Sequence, residues 1–197
     1  TQVLARDFAA LYNGEELPPL PLQYKDYAVW QAREDRQGVL AQQENFWLSQ
    51  FREDIPVMEL PADFRRPPIQ NFQGRHVDLF IDEASTENLR RVASRIEGTL
   101  YGVLVGALNI LLHKLSGNDD VVLGTTVAGR RHADLEKVIG MFVGTLPLRN
   151  RPEPSKPVDV FLKEVKDNTL AAMENQEYPF EELVEKLDIP RDMGRNP

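Results

Sequence analysis

The side chains able to do acid-base chemistry are few: three histidines, His76, His113 and His132, and no cysteine. An imidazole can serve as a general base or a metal ligand, but it needs a nucleophile or a second ligand at a working spacing. None of the three has such a neighbour, so His113 reads as a residue near a helix end, His76 as part of a strand and His132 as part of a turn. Asp119-Asp120 offers two carboxylates, yet at a helix-to-strand turn such acids cap or meet solvent more often than they share a proton. No grouping of His, Asp and Glu has metal-ligand spacing. Gly98, Gly102 and Gly106 recur every four residues, which suits close helix packing, and no Gly-Lys-Ser/Thr follows a strand to make a phosphate loop. Arg130 closes "GTTVAGR" where a strand meets a turn, a place where α/β folds put functional groups. With Arg131 it forms a dibasic pair of the kind that composition alone assigns to solvent.

The elements that would position these residues follow from periodicity. Val3, Leu4, Phe8, Leu11 and Tyr12 share one helical stripe that Asn13-Gly14 ends. A proline-bearing crossing, "ELPPLPLQY", leads to two predicted helices, one beginning with "YKDYAVWQAR" at Tyr24 and one over residues 39–51 anchored by Phe46, Trp47 and Phe51. "LPADFRRPP", residues 60–68, is a loop because its prolines lack donors. "GRHVDLFID" from Gly74 alternates like a half-buried strand, and Ser85-Thr86-Glu87-Asn88 opens a helix with Leu89, Val92, Ala93 and Ile96 inward. Residues 99–116 are apolar on nearly every side and are expected to be buried, with Gly117 as the stop. A buried strand is predicted from Asp120 ("DVVLGTTVA") and another strand over 143–149, a short helix over 134–138, a long helix over 158–174 with Phe161, Val165 and Ala172 on one face, and a last helix opening at "PFEELVEKL" with Pro179 in its first turn. The alternation predicts an α/β class with a mixed sheet packed by helices. "IGMFVGTLPLR", residues 139–149, admits two readings: a strand buried on both faces, or the lining of a site.

A chain of 197 residues, 42% hydrophobic, is long enough for one sizeable core or a large piece of something bigger. Its net charge of −8 comes with basic residues scattered in short pairs, which excludes a stripe for a phosphate backbone and makes nucleic acid an unsuitable partner. The longest apolar run, residues 100–112, is too short and too interrupted to span a bilayer, no signal-peptide pattern opens at Thr1, and the absence of cysteine suits a reducing compartment. The expected location is the cytoplasm.

Four blocks in this order, "YKDYAVWQ" (residues 24–31), "IGMFVGTLPLR" (139–149), "NQEYPFEEL" (175–183) and "RDMGRNP" (191–197), resemble the later signature motifs of nonribosomal peptide synthetase condensation domains. "SGNDDVVLGTTVAGR" (116–130) is similar to the family's strand and turn. The chain departs from the pattern at Gly144, where the family usually has Asn, and at Gly194, where it usually has Ser.

The resemblance implies a chloramphenicol-acetyltransferase-like fold of two lobes with a tunnel between them. Residues 1–20 would then be the end of the N-terminal lobe and the crossing, and residues 21–197 most but not all of the C-terminal lobe. It implies amide formation: the amine on an acceptor carrier protein attacks the thioester on a donor carrier protein. No cofactor is bound directly, since both carriers bring their own 4'-phosphopantetheine. The family's His-His-x-x-x-Asp-Gly motif is not in this sequence, so no catalytic residue is carried over. These residues alone are expected to be inactive. Arg130 is expected to support the site by reaching across the lobe junction to that motif's aspartate, and to matter little to stability here, where that partner is absent. Gly140, Phe142, Gly144, Thr145 and Asn196 are expected along the substrate tunnel. Tyr24, Asp26, Trp30, Arg149, Gln176, Pro179, Phe180, Arg191, Asp192 and Arg195 are carried over as motif residues. The implied partners are donor and acceptor peptidyl carrier proteins, the N-terminal lobe and an adjacent adenylation domain, with self-association where a sheet edge and an apolar face stay uncovered. An epimerising or heterocyclising member of the superfamily, or a docking module without catalysis, is the alternative.

Overall fold

The computed structural model describes residues 2–70, 73–190 and 192–194. The elements run α1 (Gln2–Tyr12), α2 (Tyr24–Gln31), α3 (Glu34–Gln50), α4 (Glu83–Arg95), α5 (Leu100–Ser116), β1 (Val121–Val127), a 3₁₀ turn (Ala133–Leu135), β2 (Gly144–Asn150), α6 (Val158–Glu174) and α7 (Phe180–Lys186). Among the described residues no single helix is long and apolar enough to cross a membrane.

The two strands pair antiparallel, with Val121 opposite Asn150 and Val127 opposite Gly144. The expected mixed sheet is represented among the described residues by this one pair. Side chains alternate across it. Leu146 and Leu148 join Val105 of α5 and Phe161 and Val165 of α6 in the main core, which Trp47, Phe51, Tyr178 and Leu183 complete. Thr145, Pro147 and Arg149 take the other face. A second cluster, Ala93, Ile96, Val103 and Leu162, fastens α4 to α5 and α6. Gly106 sets the closeness of α5 and α6: a β-carbon there would stand 2.3 Å from Leu162 Cδ2.

Several boundaries differ from the sequence reading, each for a local reason. The helix expected from Ser85 starts at Glu83, because Asp82 is the cap and its carboxylate accepts from the Ser85 amide at 2.7 Å. Helix α3 starts at Glu34 rather than at Val39, its first turns being too polar to show an apolar stripe. Helix α5 is stopped by Gly117 at φ +74°, as expected, but Thr99 is its cap rather than its first residue, and only one side of it is buried. Tyr101, Leu104, Leu108, Leu111 and Leu115 on the other side are 41–51% exposed. Strand β1 is half covered rather than buried.

The strand expected from Gly74 does not form. Val77, Leu79 and Phe80 are 93%, 86% and 92% exposed, because alternation marks a strand only where a neighbour supplies the ladder, and no described strand lies beside it. The apolar stripe of α1 is likewise bare, with Leu4, Phe8 and Leu11 57–67% exposed.

One polar residue ties the sheet to the helices. The Arg149 side chain is 6% exposed and grips Asp120 through Nε at 3.0 Å and Nη2 at 2.6 Å. It also donates to the carbonyl of Gln50, the last residue of α3, at 3.0 Å and to that of Asp54, just beyond it, at 2.7 Å. Asp120 is thus the partner of a nearly buried cation, and not a capping or solvated acid. Replacing Arg149 by Ala leaves the partly buried Asp120 only the longer contact to Arg151 at 3.5 Å and takes the donor from two carbonyls. The expected loss is about 3 kcal/mol, the low end for a broken buried pair because Asp120 stays a quarter exposed. A lower urea midpoint at unchanged m-value would show it; an unchanged midpoint would refute this role.

Candidate functional site

The loop that joins β1 to β2 is built on three contacts. Gly129 has φ +64°, and a β-carbon there would lie 1.8 Å from the Phe142 carbonyl oxygen, so only glycine lets the two ends of the loop meet. Arg130 donates through Nη1 to the carbonyls of Leu135 and Val138, the latter at 2.8 Å, and its guanidinium lies 4.1 Å from the centroid of the Phe142 ring. Tyr24 of α2 donates its hydroxyl to the Met141 carbonyl at 2.8 Å and meets the Phe142 ring edge-on at 5.1 Å. Phe142, Leu135 and Val138 form a small buried cluster with Leu22 and Tyr27 against it. The "IGMFV" run is therefore a loop in which Phe142 is buried while Met141 and Val143 are exposed, and the strand begins at Gly144.

Opposite this loop lies the turn between α6 and α7. Gln43 of α3, 5% exposed, accepts from the amides of Glu177 and Tyr178 at 3.0 Å each. Trp47 donates to the Asn175 carbonyl at 2.9 Å. The Glu177 carboxylate bonds Arg36 and, at 3.0 Å, Arg131. The Tyr178 hydroxyl donates to Glu44 at 3.2 Å. Burial, and next the Glu44 carboxylate, push that phenol up to about 12.

Between loop, turn and α2 opens a cleft of about 240 Å³. Tyr24, Tyr27 and Gln31 line it from the first motif, Phe142 to Thr145 from the second, and Gln176 to Glu181 from the third. More than a hundred residues separate the first block from the others. The walls combine apolar rings with the Thr145 hydroxyl, two glutamine amides, an arginine and two carboxylates, a lining suited to a slender, partly polar chain. A larger apolar groove of about 910 Å³ lies on the far side of Phe180, between β1, α7 and the segment from Ile55 to Met58.

The structure places the sequence-derived residues as follows. Phe142, Gly144, Thr145, Tyr24, Gln176, Pro179 and Phe180 come together at the cleft. Gly140 does not line it: the Tyr24 ring fills the space, 2.1 Å from where a β-carbon would stand. Gly144 has ordinary room, with Val127 Cγ2 at 3.4 Å. Asp26 accepts from the Gln23 amide and caps α2, and Trp30 lies under the guanidinium of Arg36. Arg149 belongs to the core clamp. Asp192 caps the Gly194 amide at 2.8 Å, and Gly194 packs against the Pro67 carbonyl. Arg191, Arg195 and Asn196 lie outside the described residues. Arg130 has partners within this chain, so the expectation that it matters little to stability here is corrected: it holds the carbonyls of the loop.

The sequence reading did not single out Gln43, Arg36, Arg131, Glu177 or Tyr178 as site residues. The last two lie inside a quoted block, whereas nothing marks Gln43 or Arg36 among the polar residues of a helix. His113 contacts Asn118 and Asp119 at the end of α5, and His132 contacts Asp134, so neither faces the cleft.

A family model described as "Condensation domain" matches residues 1–197. The chain is 52% identical over 195 residues to Tyrocidine synthase 3 of Brevibacillus parabrevis, a match covering 99% of this chain and 3% of that protein. It is 48% identical over 196 residues to Gramicidin S synthase 2 of Brevibacillus brevis, covering all of this chain and 4% of that one. The chain thus spans a small part of the length of these curated relatives. Among solved structures it is similar to the X-domain in its complex with OxyB from teicoplanin biosynthesis, at 28% identity and a TM-score of 0.91, over 100% of this chain and 46% of that one.

Two outcomes test the geometry. Gly129→Ala is expected to destabilise by more than about 2 kcal/mol, since it forces a left-handed Ala into a backbone oxygen. Gly144→Ala should be neutral or stabilising by up to about 1 kcal/mol. Thermal melts of the pair compare them, and equal losses would overturn the distinction. For Tyr178, the folded phenol titrates near 12 against an ordinary value of 10.0. The stability it contributes is complete below pH 10 and is lost as pH rises toward about 12. Tyr178→Phe should make that slope shallower in melts taken across the window, with Tyr27, also raised by burial, accounting for part of what is left, and an unchanged slope would reject the assignment.

Proposed function

The chain belongs to the condensation-domain family, and on that premise we propose that it forms part of a domain that makes amide bonds between carrier-bound thioesters in nonribosomal peptide synthesis. The observation that carries this reading is the convergence of three separated motifs on one cleft. In the reaction the acceptor's amine attacks the donor's thioester carbonyl. The new C–N bond forms, the C–S bond breaks, the sulfur leaves with the electron pair as a thiolate, and the proton given up by the amine converts it to the thiol. Amine and thioester are reactive enough that alignment alone contributes several kcal/mol of the lowering, on the order seen in oriented intramolecular reactions.

This chain's contribution is alignment. The lining suits the 4'-phosphopantetheine arm carried by each carrier protein: Phe142 and Phe180 would hold its apolar part, while Thr145 and Gln176 would offer partners to its amides. Arg130 uses only Nη1 for its two carbonyl bonds, which leaves Nε and Nη2 for the aspartate of the family's histidine motif. The uncovered faces of α1 and α5 and the unpaired alternating residues at Val77 to Ile81 suit packing against the N-terminal lobe and further strands, with residues 1–20 ending that lobe and 21–197 forming most of the C-terminal one. Donor and acceptor carriers, an adjacent adenylation domain and a cytoplasmic location complete the reading.

A second reading is a docking module without catalysis, favoured by the likeness to an X-domain whose structure was solved with OxyB. An intact His-His-x-x-x-Asp-Gly in the parent protein supports the enzyme, and a degenerate one supports the module.

The test uses the parent synthetase with loaded donor and acceptor carriers, following dipeptidyl thioester by mass spectrometry. Thr145→Trp, which fills the cleft, is expected to lower the rate of dipeptide formation at least about tenfold, the effect of losing roughly 1.4 kcal/mol of alignment. Residues 1–197 alone should give no product. Full activity in the variant, or turnover by these residues alone above the uncatalysed rate, would refute the proposal.

A further inference from the structure

Of the paired arginines in "AGRR", Arg130 is fixed within its loop and Arg131 is not. Arg131 donates from Nη1 to Glu177 Oε1 at 3.0 Å, and both residues line the cleft, one on the β1–β2 loop and the other on the α6–α7 turn. The ion pair therefore bridges two walls of the site. Its members are unequal. The Glu177 side chain is 19% exposed and is held by a second cation, Arg36, whose guanidinium is itself seated 4.3 Å from the Trp30 ring centroid. Arg131 is 49% exposed. When Arg131 lets go, Glu177 keeps a partner and stays neutralised, and what is given up is a half-exposed ion pair of the weak kind.

We propose that Arg131 is an exchangeable anion receptor of the cleft, leaving Glu177 to take the phosphate of a phosphopantetheine arm whose neutral chain lies inside. This rests on the reading of the chain as part of a condensation domain. A space of about 240 Å³ is below the range usual for drug-sized ligands and suits a slender chain. Arginine fits the task because its planar fork binds two phosphate oxygens at once, whereas lysine offers a point charge. With Glu177 retained by Arg36, the remaining carboxylate at the cleft is that of Glu181, which is exposed to solvent and its screening.

4'-Phosphopantetheine and pantetheine differ by one phosphate group. Titrated into the full-length protein, the first is expected to bind roughly tenfold more tightly than the second, as one charge-assisted contact predicts. Arg131→Gln should bring the two dissociation constants together, and Glu177→Gln, which releases Arg131, should widen the gap. Equal affinities in the unmodified protein, or a gap that survives Arg131→Gln, overturn the proposal. So does inorganic phosphate binding as tightly as the arm, since the cleft would then contribute nothing. A gap that closes in Arg131→Gln while the loaded synthetase makes no dipeptide supports the anion receptor and sinks the proposed reaction instead.

Discussion

The guanidinium of Arg149 is where the sheet and the helices are joined. It leaves β2, takes both oxygens of Asp120 just before β1, and satisfies one carbonyl in the last residue of α3 and one just past it. Taking a cation almost fully out of water is costly, and the cost is met here by a bidentate carboxylate and two carbonyl acceptors. The Phe51 ring lies beside the same group. An apolar residue in its place would fill the volume but would leave those carbonyls without a donor. This group joins α3 to the strands alongside the packing of Trp47 and Phe51 on Leu146 and Leu148.

The cleft depends on α3 in turn. From the same helix Trp47 reaches the Asn175 carbonyl, and Gln43 takes the two amides at the start of the following turn. These bonds decide where Glu177 and Tyr178 stand, and so fix one wall of the site. The other wall is fixed by Gly129, Arg130 and Tyr24 acting on the loop that carries Phe142. The backbone of both walls is thus held by hydrogen bonds and close contacts. Arg131, half-exposed, spans the two walls through Glu177.

The bare surfaces are as informative as the packed ones. The outward stripe of α5 recurs at Tyr101, Leu104, Leu108, Leu111 and Leu115, and α1 shows a stripe of the same kind. A helix that is apolar all round is made to be covered all round. Within the described residues α4 and α6 cover one side of α5, while its other side and the alternating segment from Val77 to Ile81 stay bare, apolar surfaces of the kind that mark interaction sites.

What the sequence determined by itself was local. The bounds of α6 and the stops of α1 and α5 at Gly14 and Gly117 follow from periodicity and from backbone preferences within a few residues, and these were legible without any neighbour. The motif blocks were legible by resemblance, and Phe142, Thr145, Gln176 and Phe180 do meet at one cleft. What tertiary structure alone decided were the relations between distant residues. Gln43 and Tyr178 are 135 positions apart, and Arg149 and Gln50 are 99 apart, so no spacing rule connects them. The same holds for the segment after Gly74, whose alternation is that of a strand while its backbone is unpaired. Periodicity records which face of an element prefers to be buried, whereas a ladder, an ion pair or a capped turn exists only once another part of the chain arrives to complete it.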